Sequence, residues 1–159
     1  MPLPQRKSSR LKHFDYSTNG KYFVTVCTHE KKKLLSSIEY VGEGLCALPQ
    51  IELTEIGKIV DESIKFTNEN TEGVIIEKYI IMPNHIHLLI ELTAGGHGNP
   101  PLQDVVGKIK SYTTHKYGEK LWQRSYHDHV IRNEESFQNI WDYVEANPAR
   151  WKKDCFYCD

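Results

Sequence analysis

The chain has 159 residues, 20 Lys and Arg against 21 Asp and Glu for a net charge of −1, and 39% hydrophobic residues. That length makes one folded unit the first expectation and leaves room for a real core, while the near-zero charge argues against wholesale coating of nucleic acid. No window approaches the roughly 20 apolar residues of a membrane-spanning helix, and MPLPQRKSSRLKHF has no apolar stretch behind its charges, so a cytoplasmic location is expected.

The charge is unevenly placed along the chain. Residues 1–33 carry eight Lys or Arg against Asp15 and Glu30, and residues 34–77 carry Lys58 and Lys65 against nine acids. A localised phosphate-binding face is compatible with this, and so is an ordinary solvated arm. Residues 21–29, KYFVTVCTH, alternate Tyr22, Val24 and Val26 with Phe23, Thr25 and Cys27 and predict a strand. Residues 38–48 set Gly42 and Gly44 between short apolar pieces and predict a small hairpin. Behind Thr54 as N-cap, Ile56, Ile59, Val60 and Ile64 recur at helical spacing, giving a helix to about Phe66.

Residues 73–82 and 85–92 read as two further strands with Pro83-Asn84 as the turn between them. Residues 95–101, GGHGNPP, are a loop, and residues 101–117 fit a helix through Leu102, Val105, Val106, Ile109 and Tyr112 that Gly118 ends. Residues 126–132 read as a short strand; Asn133 caps a last helix to about Asn147, where Pro148 discourages continuation. The order strand, helix, strand, strand, helix, strand, helix implies an α+β fold: a ferredoxin-like split βαβ, its antiparallel sheet packed with helices on one face. Cys27, Cys46, Cys155 and Cys158 include one C-x-x-C without a second pair, so reduced thiols are expected.

The chemistry concentrates in YIIMPNHIHLLIEL, residues 79–92. On a strand, residues two apart share a face, so His85 and His87 project together while Ile86 and Leu88 turn away. Two neutral imidazoles so placed either chelate a divalent ion with a further ligand or serve as hydrogen-bonded structural histidines; the spacing alone leaves both open. A histidine-triad hydrolase would need a third histidine where Leu89 stands, and H-E-x-x-H, Walker-type and G-x-S-x-G motifs are absent. On the last helix, Phe137, Ile140, Trp141 and Val144 form a core-facing stripe, and Tyr143 and Asn147 lie only about 40° apart on its flank. A phenol and a carboxamide then face the sheet together, or they are a packing residue and a helix end.

IMPNHIHLLI, WQRSYHDHVIRNEE and DYVEANPARW, in that order, resemble the single-tyrosine transposases of the HUH endonuclease superfamily. The REP-associated tyrosine transposase branch, related to the small insertion-sequence transposases, is the nearest in pattern. The similarity runs from about Arg6 through RLKHFDYSTNGKYFVTVCT to Trp151. It implies one unit over residues 1–159: a basic arm at 1–20, a catalytic core at 21–151 and a short tail at 152–159. It also implies Mg²⁺ or Mn²⁺ on His85, His87 and Asn147, with Tyr143 as the nucleophile. The implied activity is cleavage and strand transfer of single-stranded DNA near hairpins, such as a repetitive palindromic element or a transposon end, through a 5′-phosphotyrosine. Arg6, Lys7, Arg10, Lys108, Lys110, Arg124 and Arg132 are candidate DNA contacts, and Asp128 and His129 candidate supports of the metal ligands. Tyr112, Tyr117 and Tyr126 are rival nucleophiles that lack the Asn one turn later. The resemblance to the REP-associated branch implies action as a monomer, with a dimer, as in the insertion-sequence relatives, the alternative. The competing classes are a hairpin-binding protein without catalysis and a metal-dependent phosphoesterase that uses water.

Overall fold

The computed structural model describes residues 11–93 and 101–157. Arg6, Lys7, Arg10, Cys158 and the expected loop up to Pro100 lie outside the described residues. Strand β1 (Gly20–Cys27) leads to a hairpin of β2 (Ser36–Val41) and β3 (Leu48–Leu53), then helix α1 (Glu55–Asn70). Strands β4 (Val74–Ile81) and β5 (His85–Leu92) follow, then α2 (Leu102–Tyr117), β6 (His127–Ile131), α3 (Glu134–Ala146) and a 3₁₀ turn, Pro148–Lys153. No described helix is long and apolar enough to cross a membrane.

The main sheet has the order β4-β5-β1-β6 with every neighbouring pair antiparallel. This is the split βαβ arrangement the element order implies; the β2–β3 hairpin forms a second, two-stranded sheet. The β1–β5 register assigns the faces. Tyr22, Val24 and Val26 pair with Ile90, Leu88 and Ile86, and these six join Val60 and Ile64 of α1 and Leu102, Val105, Val106 and Ile109 of α2 in the apolar core. Full burial of each such side chain contributes about 1.5–3 kcal/mol, so this face holds the fold. The opposite face carries Phe23, Thr25 and Cys27 beside Leu89, His87 and His85.

Helix α3 lies on that second face, so only α1 and α2 share the helical layer expected on one side. Its seating is light. Phe137, Ile140 and Trp141 are half-buried and Val144 alone is buried along its length. Cations from the sheet complete the contact: Lys21 Nζ stands 4.2 Å from the Phe137 ring and Lys78 Nζ 4.1 Å from the Trp141 ring.

Local chemistry explains the helix ends. Thr54 Oγ1 accepts the Gly57 N–H at 3.0 Å and starts α1; the helix runs a turn past the expected end, to Asn70. Asn133 Oδ1 accepts the Ser136 N–H at 2.8 Å and starts α3. Gly118, at φ 84°, closes α2 in the left-handed conformation. Pro148 ends α3 but does not release the chain. Its fixed φ suits a first helical position, and the 3₁₀ turn it opens folds residues 148–153 back under the sheet with Trp151 buried.

Candidate active site

Both imidazoles stand on the central strand β5, which is covered on both faces, and they are 0% and 1% exposed. Asn84, in the Pro83-Asn84 turn, places its Oδ1 2.8 Å from His85 Nδ1. Its Nδ2 donates to the carbonyls of Phe156 at 2.8 Å and Lys31 at 3.3 Å. Oδ1 is therefore the acceptor, Nδ1 of His85 carries the proton, and Nε2 is left with a bare lone pair. On His87, Nδ1 lies 2.8 Å from the Thr25 hydroxyl. A hydroxyl accepts as readily as it donates, so His87 is free to take the same tautomer. The two Nε2 atoms then face each other at 3.1 Å.

Two further polar groups close on this point. The Asp154 carboxylate, with its side chain 1% exposed, lies 4.0 Å from His85 Nε2 and accepts the Asn147 Nδ2–H at 3.0 Å. His85, His87 and Asp154 each present a ligand atom within 4.8 Å of the others. Asn147 is 1% exposed, and its Oδ1 is buried with no hydrogen-bond partner among the described residues. Burial pushes both histidines down to about 3, and for His85 the adjacent Asn147 amide offsets part of the fall. Neutral imidazoles, a buried carboxylate and an orphaned amide oxygen form a donor set that suits a hard or borderline divalent cation. The residues fit the metal that the sequence pattern implies.

Tyr143 completes the site. Its ring centroid is 5.5 Å from that of His87 and 6.1 Å from that of Phe23, which itself stacks on His87 at 5.1 Å. At 37% exposure the phenol opens to solvent on one side. Partial burial raises its pKa, as do the charges of Asp154 and Cys155, while Asn147 lowers it. Trp151 and Phe156 wall His85, with ring centroids at 5.9 and 4.7 Å.

Comparisons with known proteins give relatives in sequence and in fold. No family model matches the chain. An uncharacterised protein of Haemophilus influenzae is 32% identical over 180 residues, covering 99% of this chain and 96% of that one. The REP-associated tyrosine transposase of Escherichia coli is 30% identical over 81 residues, 49% of this chain and 47% of its own length. The solved structure of a REP-associated tyrosine transposase bound to a REP hairpin superposes with a TM-score of 0.65 at 21% identity, covering 95% of this chain and 74% of that one. The chain resembles a REP-associated tyrosine transposase in sequence over half its length and shares the fold of another.

The structure brings together the four residues that the sequence motifs single out, His85, His87, Tyr143 and Asn147. The other tyrosines are elsewhere: Tyr126 is buried in the core, and Tyr112 and Tyr117 belong to α2 on the far side of the sheet. Asp128 needs correction as a support of the metal ligands. It pairs with Val24, so it points to the α1–α2 side, where its charge reaches Tyr22. His129 pairs with Phe23 on the correct face, yet the groups that hydrogen-bond the imidazoles are Asn84 and Thr25. Both were missed, and so was Asp154.

Among the expected DNA contacts, Lys108 is exposed beside the α1–α2 groove, away from Tyr143. Lys110 donates to the carbonyls of Gln123 and Arg124 at 2.7 and 3.0 Å, a structural task that pins the α2–β6 connection. Arg124 is exposed on that connection. Arg132 lines a cavity of about 440 Å³ with His129, Asn133 and Ser136.

Proposed function

We propose that this chain is a metal-dependent, tyrosine-nucleophile DNA strand transferase that cleaves single-stranded DNA near hairpins and rejoins it. The observation that carries the reading is the convergence, within one chain, of the Tyr143 phenol on two imidazoles that share an ion-binding point with Asp154. The donor set favours Mg²⁺ or Mn²⁺ held by His85, His87 and Asp154, with Asn147 Oδ1 as a fourth donor. A divalent ion there supplies charge neutralisation at a non-bridging phosphate oxygen.

The protein residues do the rest. Tyr143 Oη attacks phosphorus; the Oη–P bond forms as the P–O3′ bond breaks, and the 3′ oxygen leaves as a hydroxyl once it has a proton in exchange for the phenol's. The product is a 5′-phosphotyrosine, still a diester, so attack by another 3′-OH rejoins strands without an outside energy source. Phe23 and His87 wall the phenol on the sheet side and hold it over the site. Because the raised pKa keeps the phenol protonated at neutral pH, proton loss accompanies bond formation and does not precede it. The tyrosine reaches histidines of its own chain, which supports action in cis as a monomer.

The test is adduct formation between the full chain and a hairpin-flanked single-stranded oligonucleotide in Mn²⁺. Wild type is expected to give a covalent 5′ adduct and Tyr143→Phe none. An adduct with Tyr143→Phe would remove Tyr143 as nucleophile; free 5′-phosphate ends without an adduct would favour a water-using phosphoesterase. Metal-independent binding without cleavage in any ion would favour a hairpin-binding protein.

A further inference from the structure

A cavity of about 560 Å³ opens beside the nucleophile, lined by Tyr143, Asn147, Arg150, Lys153, Asp154 and Cys155. Two of those side chains, Arg150 and Lys153, are cations outside the candidate ion-binding donor set. Their placement follows from the turn that carries them. The 3₁₀ turn Pro148–Lys153 follows Asn147 directly, and in a 3₁₀ helix residues three apart eclipse one another. Asn147, Arg150 and Lys153 therefore form one row on the cavity side, while Trp151, 8% exposed, anchors the turn against His85.

Arg150 and Lys153 are both exposed, and no ion pair, hydrogen bond or ring contact engages either cationic group among the described residues. The acid in the cavity wall does not neutralise them, because Asp154 is turned inward onto Asn147 and His85. A guanidinium and an ammonium side by side next to a phenol are complementary to an extended anion bearing several phosphates. Small neutral ligands would leave both cations unmatched.

We propose that Arg150 and Lys153 clamp the sugar–phosphate backbone of single-stranded DNA in this cavity. The inference rests on the strand-transfer reading above and adds the element that seats the phosphodiester within reach of Tyr143 Oη. Arg150 grips non-bridging oxygens through its planar fork, and Lys153 acts as a point charge on the next phosphate. The turn positions the strand and reads no base, so its contribution is independent of sequence.

Two measurements on the full chain test the clamp. In a Tyr143→Phe background, binding of a hairpin-flanked single-stranded oligonucleotide is followed by anisotropy across a salt series. Arg150→Ala with Lys153→Ala is expected to weaken binding about tenfold and to flatten the log–log salt slope by about 1.4, roughly 0.7 for each lost contact to a single strand. With Tyr143 intact, the same pair of changes is expected to slow adduct formation in Mn²⁺, and Arg150→Lys to restore part of the rate. Lys152→Ala removes a neighbouring charge outside the cavity and is expected to leave slope and rate unchanged. If wild type forms the adduct and the double variant matches it in slope and rate, the clamp is wrong and the strand-transfer reading stands. If no chain forms an adduct but the slope still falls in the double variant, the clamp holds and that reading fails. An equal effect from Lys152→Ala would reduce the pair to general surface charge and overturn the clamp.

Discussion

Asn84 and Thr25 do for the two imidazoles what a rotamer alone does not: each holds a ring nitrogen at 2.8 Å and turns the other toward the shared point. Partners of this kind fix tautomer and ring orientation, and their loss lowers metal affinity by about 10–100-fold. Asn84→Ala is expected to weaken Mn²⁺ binding by that order, measured by calorimetry on the folded chain. Asn84→Asp, which keeps the acceptor on His85 Nδ1 but loses the donor to the Phe156 and Lys31 carbonyls, should retain most of the affinity. If both variants bind Mn²⁺ as wild type does, the tautomer argument is wrong. The Asn sits beside the histidines in MPNH, where its role was available to sequence reasoning. Thr25 was not, because its contact exists only through the pairing Thr25↔His87, and strand register between segments more than 60 residues apart cannot be read from either segment alone.

At the scale of elements, alternation and caps made the strands and helices legible; what periodicity omits is contact between them. Gly57, inside α1, shows the gap. A Cβ there would lie 1.9 Å from the Leu35 carbonyl oxygen, and that oxygen also accepts the Thr54 N–H at 3.0 Å. The helix start and the chain before the hairpin thus meet through backbone and the Thr54 hydroxyl, which donates to the Leu34 and Leu35 carbonyls at 2.6 and 3.0 Å. Gly57→Ala, which would add about 1 kcal/mol of helix propensity in an open helix, is expected to destabilise this one, because the carbonyl has to move and lose its bonds. A denaturation midpoint at or above that of wild type would refute the close approach. Asp154 escaped the sequence for a related reason. Pro148 marks a helix end, and nothing in the residues after it announces that a 3₁₀ turn will return the chain to His85. The helix flank did expose Tyr143 and Asn147, because 3.6-residue periodicity is local; the acidic donor, Asp154, depends on a reversal that is not.

For the whole molecule, the site is a burial problem solved in one direction. The sheet commits one face to an apolar core, and on the other it buries two imidazoles, a carboxylate and an amide oxygen that nothing among the described residues fully satisfies. The histidines carry the pH dependence. With folded values near 3 against an ordinary 6.5, they are neutral in both states above about pH 6.5. Between about 6.5 and 3 the unfolded chain takes up protons that the folded chain refuses, so stability falls as pH falls, by up to about 1.4 kcal/mol per unit for each histidine. A bound ion acts on the same equilibrium from the other side. At a hundredfold excess over its dissociation constant it adds about 2.7 kcal/mol, roughly 5–10 °C in melting midpoint for a chain of this size. The expected result is a Mn²⁺-dependent midpoint rise at pH 7.5 and, without ion, a lower midpoint at pH 5. The ion-induced rise should survive at pH 5, since imidazoles held neutral to about pH 3 need no deprotonation before taking the ion. His85→Ala with His87→Ala should abolish the rise and flatten the dependence without ion. A rise of equal size in that double variant would place the ion elsewhere, and one that vanishes by pH 5 in the wild type would mean that the histidines titrate as exposed ones do.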